Sequence, residues 1–224
     1  MAPGMRAVVI EDQTLMRDYL GALLRKHCGA TEVIGIGSMA ELVRREAEIA
    51  GARLILFDID LGDGSTLDWA RERAGRGENA ALVAVSSIGA QFPFKQLQAA
   101  GISLAHKNDS EKELADLICR TLAGAAVISR HVMELIGTAA RDPHSPLKLL
   151  GPREQQVLGL LGQRLANEEI AAVLGCTAGT VADHRKRIMR KLDLHNIEQL
   201  IDYAIRHGLV FDSTAAATKA RFRP

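Results

Sequence analysis

Cysteine is scarce: Cys28, Cys119 and Cys176 stand far apart in a chain of 224 residues, and no CxxC pair exists. That excludes a zinc finger or a disulfide framework and makes a reducing, cytoplasmic setting the expectation. Long apolar runs are missing too. None approaches the ~18 residues of a membrane helix, so a spanning protein is excluded and no membrane partner is expected. The opening Met1-Ala2-Pro3-Gly4-Met5-Arg6 lacks the long apolar segment of a signal peptide. No repeat of solenoid type is present. What remains is ordinary globular composition, 47% hydrophobic and 25% charged, which rules out bulk disorder. At roughly 100–200 residues per domain, the length predicts one large domain or two small ones.

Charge of one sign is also lacking overall, since the formal net charge is only +1. Divided, it is informative. From Leu147 onward there are twelve Lys/Arg against eight Asp/Glu, or +4, and the preceding residues hold sixteen against nineteen, or −3. Five of the seven residues from Arg185 to Lys191 are basic. An acidic module followed by one suited to nucleic acid is the expectation.

The first part alternates strand and helix. Strands are predicted at Arg6–Ile10, Glu32–Ile36, Leu54–Phe57, Ala81–Val85 and Ile102–Ala105. Helices are predicted around Leu15–Leu24, then at Met39–Ile49, Leu67–Arg73, Phe94–Ala100 and Glu111–Leu122. This is the pattern of an α/β fold with a doubly wound, five-stranded parallel sheet, which binds ligands at the carboxyl ends of its strands. Residues 123–146 read as a linker with one helix, capped by Ser129 and closed by the turn-forming Asp142-Pro143-His144-Ser145-Pro146. Residues 147–211 are wholly helical in period, with four helices opened near Pro152, Asn167, Thr177 and Asn196. Residues 212–224 read as a disordered tail.

The strand ends carry the chemistry. Strand one ends in Glu11-Asp12 and strand three in Asp58-Ile59-Asp60. If those strands are neighbours, the carboxylates converge on a hard oxygen site suited to Mg²⁺. Ser86 ends strand four and Lys107 follows strand five. A hydroxyl and an ammonium facing metal-bound carboxylates make a cradle for a phosphoryl group, and an Asp can itself carry that group as an acyl phosphate. In the C-terminal part, Val181, His184, Ile188 and Leu192 share an inward face. Ala182, Asp183, Lys186, Arg187 and Arg190 then face outward, as a helix in a DNA major groove requires. Asp183 stands four residues before Arg187, the spacing of a helical ion pair.

These residues resemble a known family. Val8-Val9-Ile10-Glu11-Asp12-Gln13, Leu54-Ile55-Leu56-Phe57-Asp58-Ile59-Asp60, Val85-Ser86-Ser87 and Lys107-Asn108 are similar to receiver-domain motifs over residues 1–122. Leu150-Gly151-Pro152-Arg153-Glu154 and Leu165-Ala166-Asn167-Glu168-Glu169-Ile170-Ala171, with Thr177-Ala178-Gly179-Thr180-Val181, resemble a LuxR-type helix-turn-helix over 147–211. The pairing is that of a two-component response regulator of the NarL/FixJ class. The resemblance implies that Asp58 accepts a phosphoryl group from a sensor histidine kinase. It implies that Glu11, Asp12, Asp58 and the Asp60 backbone carbonyl hold Mg²⁺, and that Ser86 and Lys107 contact the phosphoryl oxygens. Ala182, Asp183 and Lys186 take base-reading positions, with Thr177, Thr180, Arg187, Arg190 and Lys191 as phosphate contacts. Implied partners are the kinase, double-stranded DNA, a second copy in a homodimer, and RNA polymerase.

Four departures from the family pattern stand out. Leu104 occupies a position where an aromatic residue that swings inward on activation is common, the segment from Gly101 to Lys107 is one residue shorter than usual, Gly151 stands where a hydroxyl helix cap is common, and Arg164 stands where a helix-ending glycine is common. Phe92 and Phe94, flanking Pro93 at the start of the fourth helix, read as an exposed pair that a dimer face could use, with ordinary packing the favoured reading. Ile197, Leu200, Ile201, Ala204 and Ile205 on the last helix offer apolar area for a dimer contact. The expected function is a phosphorylation-controlled DNA-binding regulator, not an enzyme. A receiver that works without phosphorylation is the alternative, kept open by Leu104. More distant is an aspartyl phosphatase of the DxDGT kind, which leaves Glu11, Asp12 and the C-terminal part without a role.

Overall fold

The computed structural model describes residues 4–77, 79–88, 91–140, 146–207 and 209. The chain divides into two compact units, the first running to Ile136 except for a short piece ending at Phe92 that groups with the second, and the second taken up from Gly137 onward.

The first unit begins β1 (Met5–Ile10), α1 (Thr14–Cys28), β2 (Ala30–Ile36), α2 (Met39–Arg44), α3 (Glu46–Ile49) and β3 (Leu54–Phe57). A two-residue-per-strand hairpin follows, β4 (Asp60–Leu61) and β5 (Gly64–Ser65). The unit continues with α4 (Leu67–Gly75), β6 (Ala81–Ser86), α5 (Gln91–Ala99), β7 (Ser103–His106) and α6 (Glu111–Leu122). The five-stranded sheet runs in the order β2-β1-β3-β6-β7, with every pair parallel. Its central strands are covered on both faces, which is why they read as unbroken apolar runs: Ala7, Val8, Ile10, Leu54, Ile55 and Leu56 have no exposure. Winding turns outward in both directions from between β1 and β3, so the crevice at their carboxyl ends is the switch point of the sheet.

Local chemistry sets the joints. Gly29 ends α1 in the left-handed region at φ 70°. The Ser38 hydroxyl accepts the Glu41 amide to start α2, and Ser110 with Glu113 forms a reciprocal capping box on α6.

Several expectations need correction. The helix predicted over Met39–Ile49 is broken at Arg45. That side chain leaves the helical run to bond the Gly35 carbonyl and the Glu41 and Glu48 carboxylates. Phe92 and Phe94 are buried and form no exposed pair, in keeping with the favoured reading of ordinary packing. The β4–β5 hairpin was not foreseen.

After α6 the chain returns to the sheet. Leu104 donates its amide to Val127 and accepts the Ser129 amide, both at 2.8 Å, which sets Ile128 parallel to the β7 edge. The helix α7 (Arg130–Ala140) starts there, with the Met133 amide on the Ser129 carbonyl.

The second unit holds a short turn of helix α8 (Pro146–Leu149), then α9 (Pro152–Gly162), α10 (Asn167–Leu174), α11 (Ala178–Leu192) and α12 (Ile197–Arg206). Its core gathers Val157, Leu158, Ile170, Val181, Ile188, Leu200 and Ala204. Gly151 offers no side chain to cap α9, but the Glu154 carboxylate accepts its amide at 2.8 Å. Arg164 does adopt a left-handed backbone, at φ 59°. Gly175, at φ 62°, makes the tight turn between α10 and α11. The apolar stripe of α12 is mostly internal: Leu200, Ile201 and Ala204 are buried, and Ile197 stays 37% exposed with Ile205 half-buried. Residues 141–145 and the tail from 212 lie outside the described residues. No described helix is long and apolar enough to cross a membrane.

Candidate functional site

The sheet order brings the predicted strand-end residues together. Glu11 leaves β1 with its amide on the Ile36 carbonyl, and Asp58 leaves β3 with its amide on the Ile10 carbonyl. Glu11 and Asp58 are buried and Asp12 is exposed. One carboxylate oxygen from each lies within 4.8 Å of the others. Lys107 follows β7, and its ammonium sits 2.7 Å from Asp58 Oδ2 and 2.8 Å from Glu11 Oε2. Its amide donates to the Ser86 carbonyl at 3.1 Å, which ties the ends of β6 and β7. Ser86 is buried, and its hydroxyl has no partner among the described residues.

The second oxygen of Asp58 faces backbone. Oδ1 accepts the Ile59 amide at 2.6 Å and, more weakly, the Asp60 amide at 3.4 Å. Asp60 itself stands exposed at the start of the hairpin. Three residues that pattern reading overlooked hold this geometry. Thr66 donates its hydroxyl to the Asp58 carbonyl at 2.6 Å. Arg17 donates to the Glu11 carbonyl at 2.6 Å. The Asp63 carboxylate accepts the Met39 and Ala40 amides and so pins the hairpin to the start of α2. Each is a tertiary bond with no periodic signal. For Asp63 and Thr66 the only hint was the polar and glycine-rich stretch from Asp60 to Thr66, and for Arg17 there was none.

Charge crowding leaves its mark. Burial pushes the Glu11 carboxyl above its ordinary value, and the Asp58 charge adds to this, against the hydrogen bond from Lys107. Partial desolvation, then Asp58 and Asp12, likewise raise Asp60. For Lys107 burial works against the charged form, but bonds to Asp58 and Glu11 outweigh it, so the ammonium is held above its usual range. Four carboxylates against one ammonium leave an excess of negative charge. All the donors are hard oxygens, with no His or Cys among the grouped residues, so they fit a small hard cation such as Mg²⁺.

The second group lies on α11. Thr177 starts the helix by accepting the Thr180 amide at 3.1 Å, and the two hydroxyls share a bond of 2.9 Å. Val181 and Ile188 are buried. Thr177, Thr180, Asp183, Lys186, Arg187, Arg190 and Lys191 are exposed, and Ala182 is half-buried. His184 is half-buried with its Nδ1 enclosed and unpartnered among the described residues. Arg187 donates to the Asp183 carbonyl at 3.4 Å and not to its carboxylate, so the expected ion pair is replaced by a backbone contact. Lys191 is already engaged, 2.7 Å from Glu154 of α9. Burial by itself would raise Glu154, but Lys191 and the Gly151 amide prevail and hold it below its ordinary value. Lys186 and Arg190 form no ion pair among the described residues.

Residues 148–204 match the family described as bacterial regulatory proteins, luxR family. The transcriptional regulatory protein MctR of Rhizobium johnstonii is 27% identical over 210 residues, covering 93% of this chain and 96% of its own. The response regulator protein VraR of Staphylococcus aureus is 24% identical over 207 residues, covering 92% and 99%. Among solved structures, RcsB from Salmonella enterica serovar Typhimurium, bound to promoter rprA with the phosphomimetic BeF₃⁻, superposes with a TM-score of 0.62. It is 16% identical and covers 89% of this chain and 98% of its own. The response regulator ChrA of a heme-sensing two-component system gives 0.53 at 22% identity, covering 92% and 99%.

Proposed function

We propose that this chain, a response regulator of the NarL/FixJ class with a LuxR-type helix-turn-helix, is switched by phosphorylation of Asp58 and acts by binding a two-fold DNA site. The observation that carries the reading is the meeting of Glu11, Asp12 and Asp58, two of them bonded to Lys107, at the sheet edge where Ser86 holds a buried hydroxyl with no partner among the described residues.

A phosphohistidine of a sensor kinase is the expected donor. Asp58 Oδ attacks phosphorus as the P–N bond breaks, and the phosphoryl group remains on Asp58 as an acyl phosphate. Glu11, Asp12, Asp58 and the Asp60 carbonyl would hold Mg²⁺, which neutralises phosphoryl charge when bound. Lys107 then exchanges its bond to Asp58 for one to a phosphoryl oxygen, and Ser86 donates its hydroxyl to another. Glu11, Asp58 and the Lys107 side chain are enclosed, which strengthens the contacts made among them. Asp60, exposed beside Asp58, is placed to tune the lifetime of the acyl phosphate.

On α11, Ala182, Asp183 and Lys186 are the base-reading set, and Thr177, Thr180, Arg187 and Arg190 contact phosphates, which position without reading sequence. Lys191 joins them only by releasing Glu154. Ile197 and Ile205 are the residual apolar surface of α12 for a homodimer. RNA polymerase is a further expected partner.

Acetyl phosphate with Mg²⁺ tests the acceptor. Wild-type protein gains one phosphoryl group, and Asp58→Asn gains none. Labelling that survives in Asp58→Asn but not in Asp60→Asn overturns the assignment.

A further inference from the structure

Leu104 is fully buried with its backbone tied to Val127 and Ser129. The loop after it is tied more firmly still. One oxygen of Asp109 accepts the His106 amide at 2.7 Å, and the other lies 2.5 Å from Nδ1 of His131 in the first turn of α7. The Asp109 amide returns to the His106 carbonyl at 2.9 Å, and the Asn108 amide bonds the His106 ring at 3.1 Å. The His106 and His131 rings stand 5.8 Å apart. The Asp109 side chain is 2% exposed and that of His131 38%. Between these anchors sits Lys107, its backbone on Ser86 and its ammonium on Asp58 and Glu11.

We propose that the Asp109–His131 pair is a positioning link that couples Lys107 to α7, the helix leading in sequence to the LuxR-type domain. The inference rests on the proposed phosphorylation of Asp58. A phosphoryl group on Asp58 draws Lys107 away from its present carboxylate contacts. The loop from His106 to Ser110 is too short and too fully bonded to absorb a shift of Lys107 alone. Asp109 is almost wholly buried, so loosening from His131 leaves a carboxylate short of a partner, at high cost. His131 therefore moves with the loop, or the pair opens, and in either case the start of α7 senses the site. Linkage is reciprocal: if occupancy of the site alters the docking of α7, docking of α7 alters the affinity of the site by the same factor, so removal of His131, which loosens docking, shifts that affinity.

The experiment uses the full chain and beryllofluoride with Mg²⁺ as the phosphoryl mimic. Affinity is read by titration, and docking by hydrogen exchange at residues 130–136. His131 is partly exposed, so His131→Ala is expected to fold. Its beryllofluoride affinity should change by at least about fivefold, the lower end of usual allosteric couplings. Exchange at 130–136 should respond to the mimic in wild type and not in His131→Ala. His131→Asn, which can still donate to Asp109, should recover most of both effects, which a merely structural role does not predict. Wild-type affinity and exchange response in His131→Ala overturn the link and leave the phosphorylation reading standing. Failure of wild-type protein to bind the mimic overturns both.

Discussion

Four carboxylates at the edge of the first sheet and a run of basic residues on α11 each concentrate charge of one sign, but their surroundings differ. Glu11, Asp58 and Lys107 are enclosed, drawn from three strand ends, and satisfied mostly by one another. Lys186, Arg187 and Arg190 come from one helix and face solvent. A buried charge cluster must be answered by opposite charge close at hand, and its chemistry depends on the whole sheet. An exposed basic face costs little to display and needs only a helix with a sound core side. The first arrangement suits covalent chemistry that must exclude water, and the second suits reversible attraction to a polyanion.

Lys107→Ala breaks this comparison most forcefully. It leaves two buried carboxylates facing each other without a cation, and removal of one partner from a buried ion pair costs about 3–5 kcal/mol. Urea unfolding followed through Trp69, the single tryptophan, should show a loss of that order at pH 7, partly restored by Mg²⁺. Lys186→Ala, on the exposed face, should stay within about 0.5 kcal/mol in stability. A similar small loss for both would mean that Lys107 is not a buried partner.

Within α11 the contrast lies between reading and attraction. Lys186→Ala should relax preference at one base pair per half-site, worth about 1–3 kcal/mol. Arg190→Ala should weaken operator and random DNA alike and flatten the salt dependence by about one unit. Isotherms on both DNAs at two salt concentrations decide it. Equal losses on all DNA would make Lys186 a phosphate contact.

Acid should separate the two units by sign. Glu11 is raised above 4.5, so the folded state takes up its proton before the unfolded chain does. Without divalent cation, its contribution makes the first unit more stable as pH falls through the range just above 4.5, and Glu11→Gln abolishes that gain. Glu154 is lowered below 4.5, so the unfolded chain protonates first. Its contribution is present above 4.5 and is lost as pH falls through its folded value, and Glu154→Gln removes that dependence. Segment-resolved hydrogen exchange across this range measures both. Slopes of the same sign in the two units would contradict the account.

The smallest effect belongs to Arg164. A left-handed backbone costs a non-glycine residue about 1–2 kcal/mol, and the ion pair of Arg164 with Glu198 is exposed and 3.8 Å long. Arg164→Gly should stabilise the second unit by about 1 kcal/mol in thermal unfolding. A destabilised variant would show that the exposed pair outweighs the backbone.

Much of this was readable beforehand, for identifiable reasons. The central strands are covered on both faces and so are apolar without interruption, and a parallel sheet places their carboxyl ends together. That is why Glu11, Asp58, Ser86 and Lys107 could be assembled on paper. The β4–β5 hairpin was not, because two-residue strands have no period. Asp63, Thr66 and Arg17 act through bonds to distant backbone, and the pairing of Lys191 with Glu154 spans two helices. The pairing of Ile128 beside Leu104 was hidden in a stretch that reads only as linker. Periodicity reports which face is buried, and it is silent about which polar group answers another across the fold.

The central claim is that the enclosed site governs the exposed one. DNA affinity of the full chain, measured with and without acetyl phosphate and Mg²⁺, tests it most directly when wild type and Asp58→Asn are compared on the same operator. Wild-type protein should bind more tightly once phosphorylated, and Asp58→Asn should show one affinity under both conditions. Equal affinity of phosphorylated and unphosphorylated wild-type protein would contradict the account and favour a receiver that works without the phosphoryl group.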